Sequence, residues 1–136
     1  MARGAPDGYS WGAPQSLRGI GGSNHYVVDL ELPANTPSAS PVDLDVILVD
    51  GWVAQIALLF PPGPATLAYV TVRVSGSQLY PTGAGQSFHP DNQLIVIPCD
   101  FDVPLVGSDY KITLRGWSLD DTWPHTVQAH VWVIPY

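Results

Sequence analysis

At 136 residues and a formal charge of -7, the chain has room for one domain, and folding at this size buries roughly two thirds of the surface of the unfolded chain without help from disulfides or metals. Its single cysteine, Cys99, excludes an internal disulfide, and its five Lys and Arg are scattered among twelve acids rather than clustered as nucleic acid binding requires. No apolar run approaches the roughly 20 residues that cross a bilayer as a helix. With 12% charged and 46% apolar residues, part of the surface is expected to lie under another chain.

Residues 1–23 carry no period of two or 3.6 and are crowded with Gly and Pro, so they read as an irregular N-terminal arm rather than a core element. The arm holds Arg3, Arg18 and Asp7, whereas the remaining chain holds three basic and eleven acidic residues. Tyr9, Trp11, Leu17 and Arg18 are its candidate contacts with a neighbouring subunit. The bland reading is a flexible terminus. Nothing in Met-Ala-Arg-Gly-Ala-Pro-Asp-Gly resembles a secretory leader, and assembly in a cytoplasm is the expectation.

Residues 24–136 read as the folded domain. Tyr26, Val28, Leu30 and Leu32 alternate with Asp29 and Glu31, the period of a half-buried strand. Pro33, Pro37 and Pro41 then enforce a loop. Two strands are expected over 43–50 and 52–60, apolar in part on both faces as in central strands, with a turn at Asp50-Gly51. Pro61-Pro62-Gly63-Pro64 breaks the chain. Alternation resumes at 67–74, a short strand follows at 78–80, a loop runs to Asn92, and another strand over 93–97 stops at Pro98.

The last stretch, from Tyr110 to the C-terminus, reads as a two-strand unit, with alternation over 110–115 and 126–133 and a turn between them at Asp120, Asp121, Thr122 and Pro124. With Ser118 opposite His125, Leu114 would face Ala129 and Ile112 would face Val131 inside, while Thr113 would face His130 and Lys111 would face Trp132 outside. Arg115, Trp117, His130 and Trp132 are then possible surface contacts on one outer face. No window offers a capped helical stripe. About eight short strands between Pro/Gly loops predict an all-β, two-sheet antiparallel sandwich, jelly-roll-like, with an immunoglobulin-like sandwich as the alternative that lacks its Cys/Trp/Cys landmark here. Val28, Leu30, Ile56, Val70, Val72, Ile112, Leu114, Val127, Val131 and Val133 are the predicted interior.

The residues predict no catalytic centre, no cofactor and no metal. His125 and His130 lie an odd number apart on one strand and point to opposite faces, so they do not share an ion. Asp100 with Asp102, and Asp120 with Asp121, lack the spaced acidic loop of a calcium site and read as solvated turn carboxylates. Cys99 has no base beside it, and no Gly-x-Ser-x-Gly elbow occurs. The tryptophans are read first as packing or interface and second as a sugar platform.

Leu58-Leu59-Phe60-Pro61-Pro62-Gly63, Gln78-Leu79-Tyr80-Pro81 and the run from Leu114 to Thr126, which includes Arg-Gly-Trp-Ser-Leu-Asp-Asp-Thr-Trp-Pro-His, resemble small virion-associated proteins of tailed bacteriophages. The resemblance covers 58–136 and has no catalytic content. It implies a capsid decoration (cement) protein, or another head or tail component, bound to the major capsid protein or another virion subunit and commonly oligomeric. A trimer is the favoured oligomer, because three arms on one assembly raise the effective concentration of each further contact. The alternatives are a carbohydrate- or receptor-binding virion module and a small enzyme. Neither nucleic acid nor membrane is an expected partner.

Overall fold

The computed structural model describes residues 22–136 apart from 64, 66 and 84. The arm contacts expected at Tyr9, Trp11, Leu17 and Arg18 therefore lie outside the described residues, as does nearly all of the predicted 1–23 segment. Among the described residues there are nine strands: β1 (Asn24–Leu32), β2 (Val42–Leu48), β3 (Gly51–Phe60), β4 (Ala68–Val74), β5 (Ser77–Tyr80), β6 (Gln93–Asp102), β7 (Leu105–Val106), β8 (Asp109–Ser118) and β9 (His125–Pro135). They form a four-stranded sheet in the order β1-β9-β3-β6 and a five-stranded sheet in the order β2-β8-β4-β5, with β7 paired to β8. All pairings are antiparallel.

Apart from the β4–β5 and β7–β8 hairpins, every connection carries the chain from one sheet to the other. Setting the two-residue β7 aside, eight strands divide four and four, the winding of a jelly roll rather than of a hairpin-rich immunoglobulin sandwich. One consequence corrects the expected C-terminal pair. β8 and β9 belong to different sheets, with β8 between β2 and β4 and β9 between β1 and β3. The Asp120-to-Pro124 turn is thus a crossover, and Leu114 is paired to Leu44 and Val72 instead of facing Ala129. Asp50-Gly51 is likewise a turn between sheets, since β2 and β3 do not pair.

Alternation builds the core as expected. Leu30, Val46, Ile56, Val70, Ile112, Leu114, Val127 and Val131 point between the sheets with at most 2% of their surface exposed. All ten predicted interior residues belong to this cluster, Val28 from its margin. Each buried Val, Leu or Ile contributes on the order of 2 kcal/mol, and the sum offsets the ordering of the Pro/Gly loops. Gly116 leaves no room for a side chain: a Cβ there would lie 2.7 Å from Leu32 Cδ2 and 3.0 Å from both Leu30 Cδ2 and the Tyr69 carbonyl oxygen.

Candidate functional site

The outer face of the five-stranded sheet is organised in cross-strand rows. Tyr69 on β4 stands opposite Trp117 on β8, their rings 5.5 Å apart and within 3° of parallel. His89 extends the row, 4.7 Å from Tyr69. It is placed there by Phe88, which exchanges two backbone hydrogen bonds of 2.9 Å with Val70 and turns its own ring toward the core. Beyond this row, Leu119 N donates to Leu67 O (2.9 Å), which continues the β4–β8 ladder and sets Leu67 and Leu119 on the same outer face.

On the other side of the aromatic row the face is ionic. Arg115 grips Asp43 through two bonds, Nε at 2.7 Å and Nη2 at 2.9 Å. Asp45 accepts from Thr113 Oγ1 (2.8 Å) and Lys111 Nζ (3.2 Å). The Arg115 guanidinium holds Asp43 below the usual carboxylate range, and the Thr113 hydroxyl, then Lys111, does the same for Asp45. These pairs face solvent and each contributes less than about 1 kcal/mol to folding. Their effect is to fix side-chain positions beside the rings. Thr71, between them and the rings, is buried with its hydroxyl unpartnered.

The crossover after β8 supplies the most exposed aromatic of the described residues. Asp120 accepts from the backbone N–H of Thr122 (2.9 Å) and Trp123 (3.3 Å) with one oxygen, and from His125 Nε2 (2.6 Å) with the other. Its own carbonyl takes Asn35 N–H at 2.6 Å, and Thr36 O takes Ser118 N–H at 3.0 Å. His125 and these backbone donors hold the Asp120 carboxyl below its usual range. The turn is therefore pinned, with Trp123 67% and Leu119 54% exposed at its surface. Asp120, read from sequence as a solvated turn acid, is the organiser of this turn.

The opposite outer face, on the four-stranded sheet, holds the other expected contacts. His130 Nε2 donates to Gln128 Oε1 (2.9 Å), which leaves Nδ1 to accept from His25 Nε2 (2.8 Å). His25 stacks on Trp132 with centroids 4.4 Å apart. Burial, then the neighbouring His25, pushes the His130 pKa down, against a smaller upward pull from Asp29. Trp132 has no exposed surface and His130 only 9%. Where Asp29, Thr126 and Gln128 meet Leu59 and Pro62, a groove of about 460 Å³ opens on this face.

The four possible surface contacts thus divide. Arg115 and Trp117 share one face, His130 and Trp132 lie on the other, and Trp132 is not a surface residue. The reason is the sheet-to-sheet crossover, which rotates β9 away from β8. Tyr69 and His89 were missed as members of the Trp117 row. Tyr69 was legible as outward by alternation with Val70, but its pairing to Trp117 depends on register. Among the described residues no three His, Cys, Asp or Glu side chains gather as metal ligands, and the two imidazoles that meet are His25 and His130. Cys99 is buried and its thiol pKa is pushed up to about 12, so it stays protonated at neutral pH.

No protein-family model and no curated protein matches the chain. Among solved structures, the exo-β-1,3-galactanase of Phanerochaete chrysosporium with galactose superposes with a TM-score of 0.35 and 18% identity, over 83% of this chain and 30% of its own. A chain of the Israeli acute paralysis virus full particle gives 0.34 and 10%, over 82% of this chain and 70% of its own. This chain therefore spans under a third of the galactanase. Superpositions this loose transfer no residue role.

Proposed function

We propose that the protein is a non-enzymatic virion structural protein, a decoration (cement) protein that binds the assembled head of a tailed phage through the outer face of its five-stranded sheet. The observation that carries the choice of face is the combination of a pinned turn displaying Trp123 and Leu119 with the ordered row Trp117–Tyr69–His89. An apolar, aromatic centre beside a charged flank is the anatomy of a protein interface, and rings already held in place lose little entropy on docking. The virion setting is supported by the resemblance over 58–136. In that setting the partner is the major capsid protein or another shell subunit, and a trimer would multiply weak single contacts into firm attachment.

The test is co-sedimentation with undecorated shells of the phage that encodes the protein. Full-length protein pellets with shells, and Trp117→Ala and Trp123→Ala pellet far less. Equal pelleting of all three would remove this face from consideration. The aromatic row also supports a second reading, a carbohydrate-binding virion module, because Asp43, Arg115 and His89 stand beside parallel rings as hydrogen-bonding groups would for a sugar. Retention on a glycan array, lost with Trp117→Ala, together with no shell binding would favour it.

A further inference from the structure

The groove of about 460 Å³ on the outer face of the four-stranded sheet takes no part in the face assigned to the shell. Its floor is a cross-strand row. Asp29 on β1 is paired to Gln128 on β9, and Gln128 to Leu59 on β3, so the three side chains stand next to one another on the outer face. Thr126, two residues before Gln128, points the same way. Pro62 and Asn92 line the groove from the loops after β3 and before β6. These loops are pinned to each other: Asn92 N–H donates to Pro61 O at 3.2 Å, while Asp91 Oδ1 accepts from the N–H groups of Gly63 (3.2 Å) and Ala65 (3.1 Å). The Gln128 carboxamide is oriented from its other side. Buried His130 donates to its Oε1 at 2.9 Å, which turns its Nε2 toward Asp29 Oδ1 at 3.4 Å. A carboxamide held by a buried donor presents its remaining N–H beside a carboxylate in one fixed arrangement.

We propose that this groove binds a neutral hexopyranose unit of a glycan. The donor and acceptor set selects that class. A pyranose carries neighbouring hydroxyls, each both donor and acceptor, on a ring whose C–H face is apolar. Asp29 accepts from hydroxyls, Gln128 and Asn92 donate N–H to hydroxyl oxygens, and Thr126 does either. Leu59, 38% exposed, and Pro62 supply apolar surface for the C–H face. None of the lining residues is cationic, which disfavours phosphate, sulfate and uronate. One carboxylate already engaged by Gln128 is a poor cage for a metal ion. The volume lies within the roughly 300–1,000 Å³ of small-ligand sites. The groove and Trp117 lie on different sheets, so a protein docked through the five-stranded sheet would turn this groove away from the shell. The site does not depend on the virion reading, and it differs from a sugar platform on the aromatic row in the face it uses.

The test is a ¹⁵N spectrum of the full chain titrated with the methyl glycosides of glucose, galactose, mannose and N-acetylglucosamine, and separately with methylammonium chloride. At least one glycoside should shift the amides of Asp29, Leu59, Asn92 and Gln128 with a saturating Kd of about 1 mM and leave Tyr69 and Trp117 unmoved. Asp29→Asn keeps the side-chain shape and removes the charge, and Asn92→Gly removes the carboxamide at a position whose φ of 48° glycine tolerates. Each should weaken binding by at least about fivefold, in a chain whose dispersed spectrum shows that it is folded. Flat titrations with every glycoside would overturn the proposal. Shifts confined to Tyr69, His89 and Trp117 would also overturn it, by giving the sugar to the other face. So would shifts with methylammonium alone, which would make Asp29 a cation subsite, or glycoside affinity that survives both substitutions.

Discussion

Replacing Trp123 by alanine separates binding from folding. About two thirds of this residue is solvent-exposed in the free protein, so roughly 150 Å² of ring is available to a partner. At about 25 cal/mol per Å² its complete burial is worth up to roughly 4 kcal/mol, and the ordering and desolvation costs of docking reduce this to around 2 kcal/mol. That weakens a single site about 30-fold. Stability should move by less than about 0.5 kcal/mol, because the bonds that pin the turn run from Asp120 to the backbone N–H groups of 122 and 123 and to His125, none of which involves the indole. The assay pairs a shell-binding titration with urea unfolding. Unchanged affinity would refute the assignment of this turn to the interface, and a large fall in the urea midpoint would refute the claim that the turn is held without its tryptophan.

Gly116→Ala forces a methyl to within 3.0 Å of the Tyr69 carbonyl oxygen and closer to Leu32; overpacking here costs about 1–3 kcal/mol, read as a melting temperature lower by about 3–10 °C, and parental stability would show that the sheets are not in contact at this point. Folding stability should fall as pH drops below about 6.5, because His130 has its pKa lowered in the folded state by burial and by His25, so the unfolded chain takes up the proton more readily. His25, Asp29, Gln128 and Trp132 are the groups around it, and His130→Gln should flatten the fall in urea midpoint between about pH 7 and 5; an unchanged slope would assign the effect elsewhere. Cys99, held as a thiol well above its usual pKa, should resist iodoacetamide at about pH 8 until denaturant is added; rapid labelling of native protein would contradict its burial.

The strands and the inward residues were legible because period-two alternation is a local property: Val127, Ala129, Val131 and Val133 face the core whichever strand lies beside them. Prolines and glycines likewise marked the loops, since their backbone restrictions act within a residue or two. Strand partnership is not local. The Asp120-to-Pro124 turn is equally compatible in sequence with a hairpin and with a crossover, and only competition for pairing, in which β8 lies between β2 and β4 while β9 lies between β1 and β3, decided it. That decision separated Trp117 from Trp132, brought Tyr69 and His89 to the former and His25 to the latter, and left Trp117 half-buried and Trp132 buried. Alternation says which way a side chain points; what it then meets depends on residues as many as 105 positions away, as in the His25–His130 hydrogen bond.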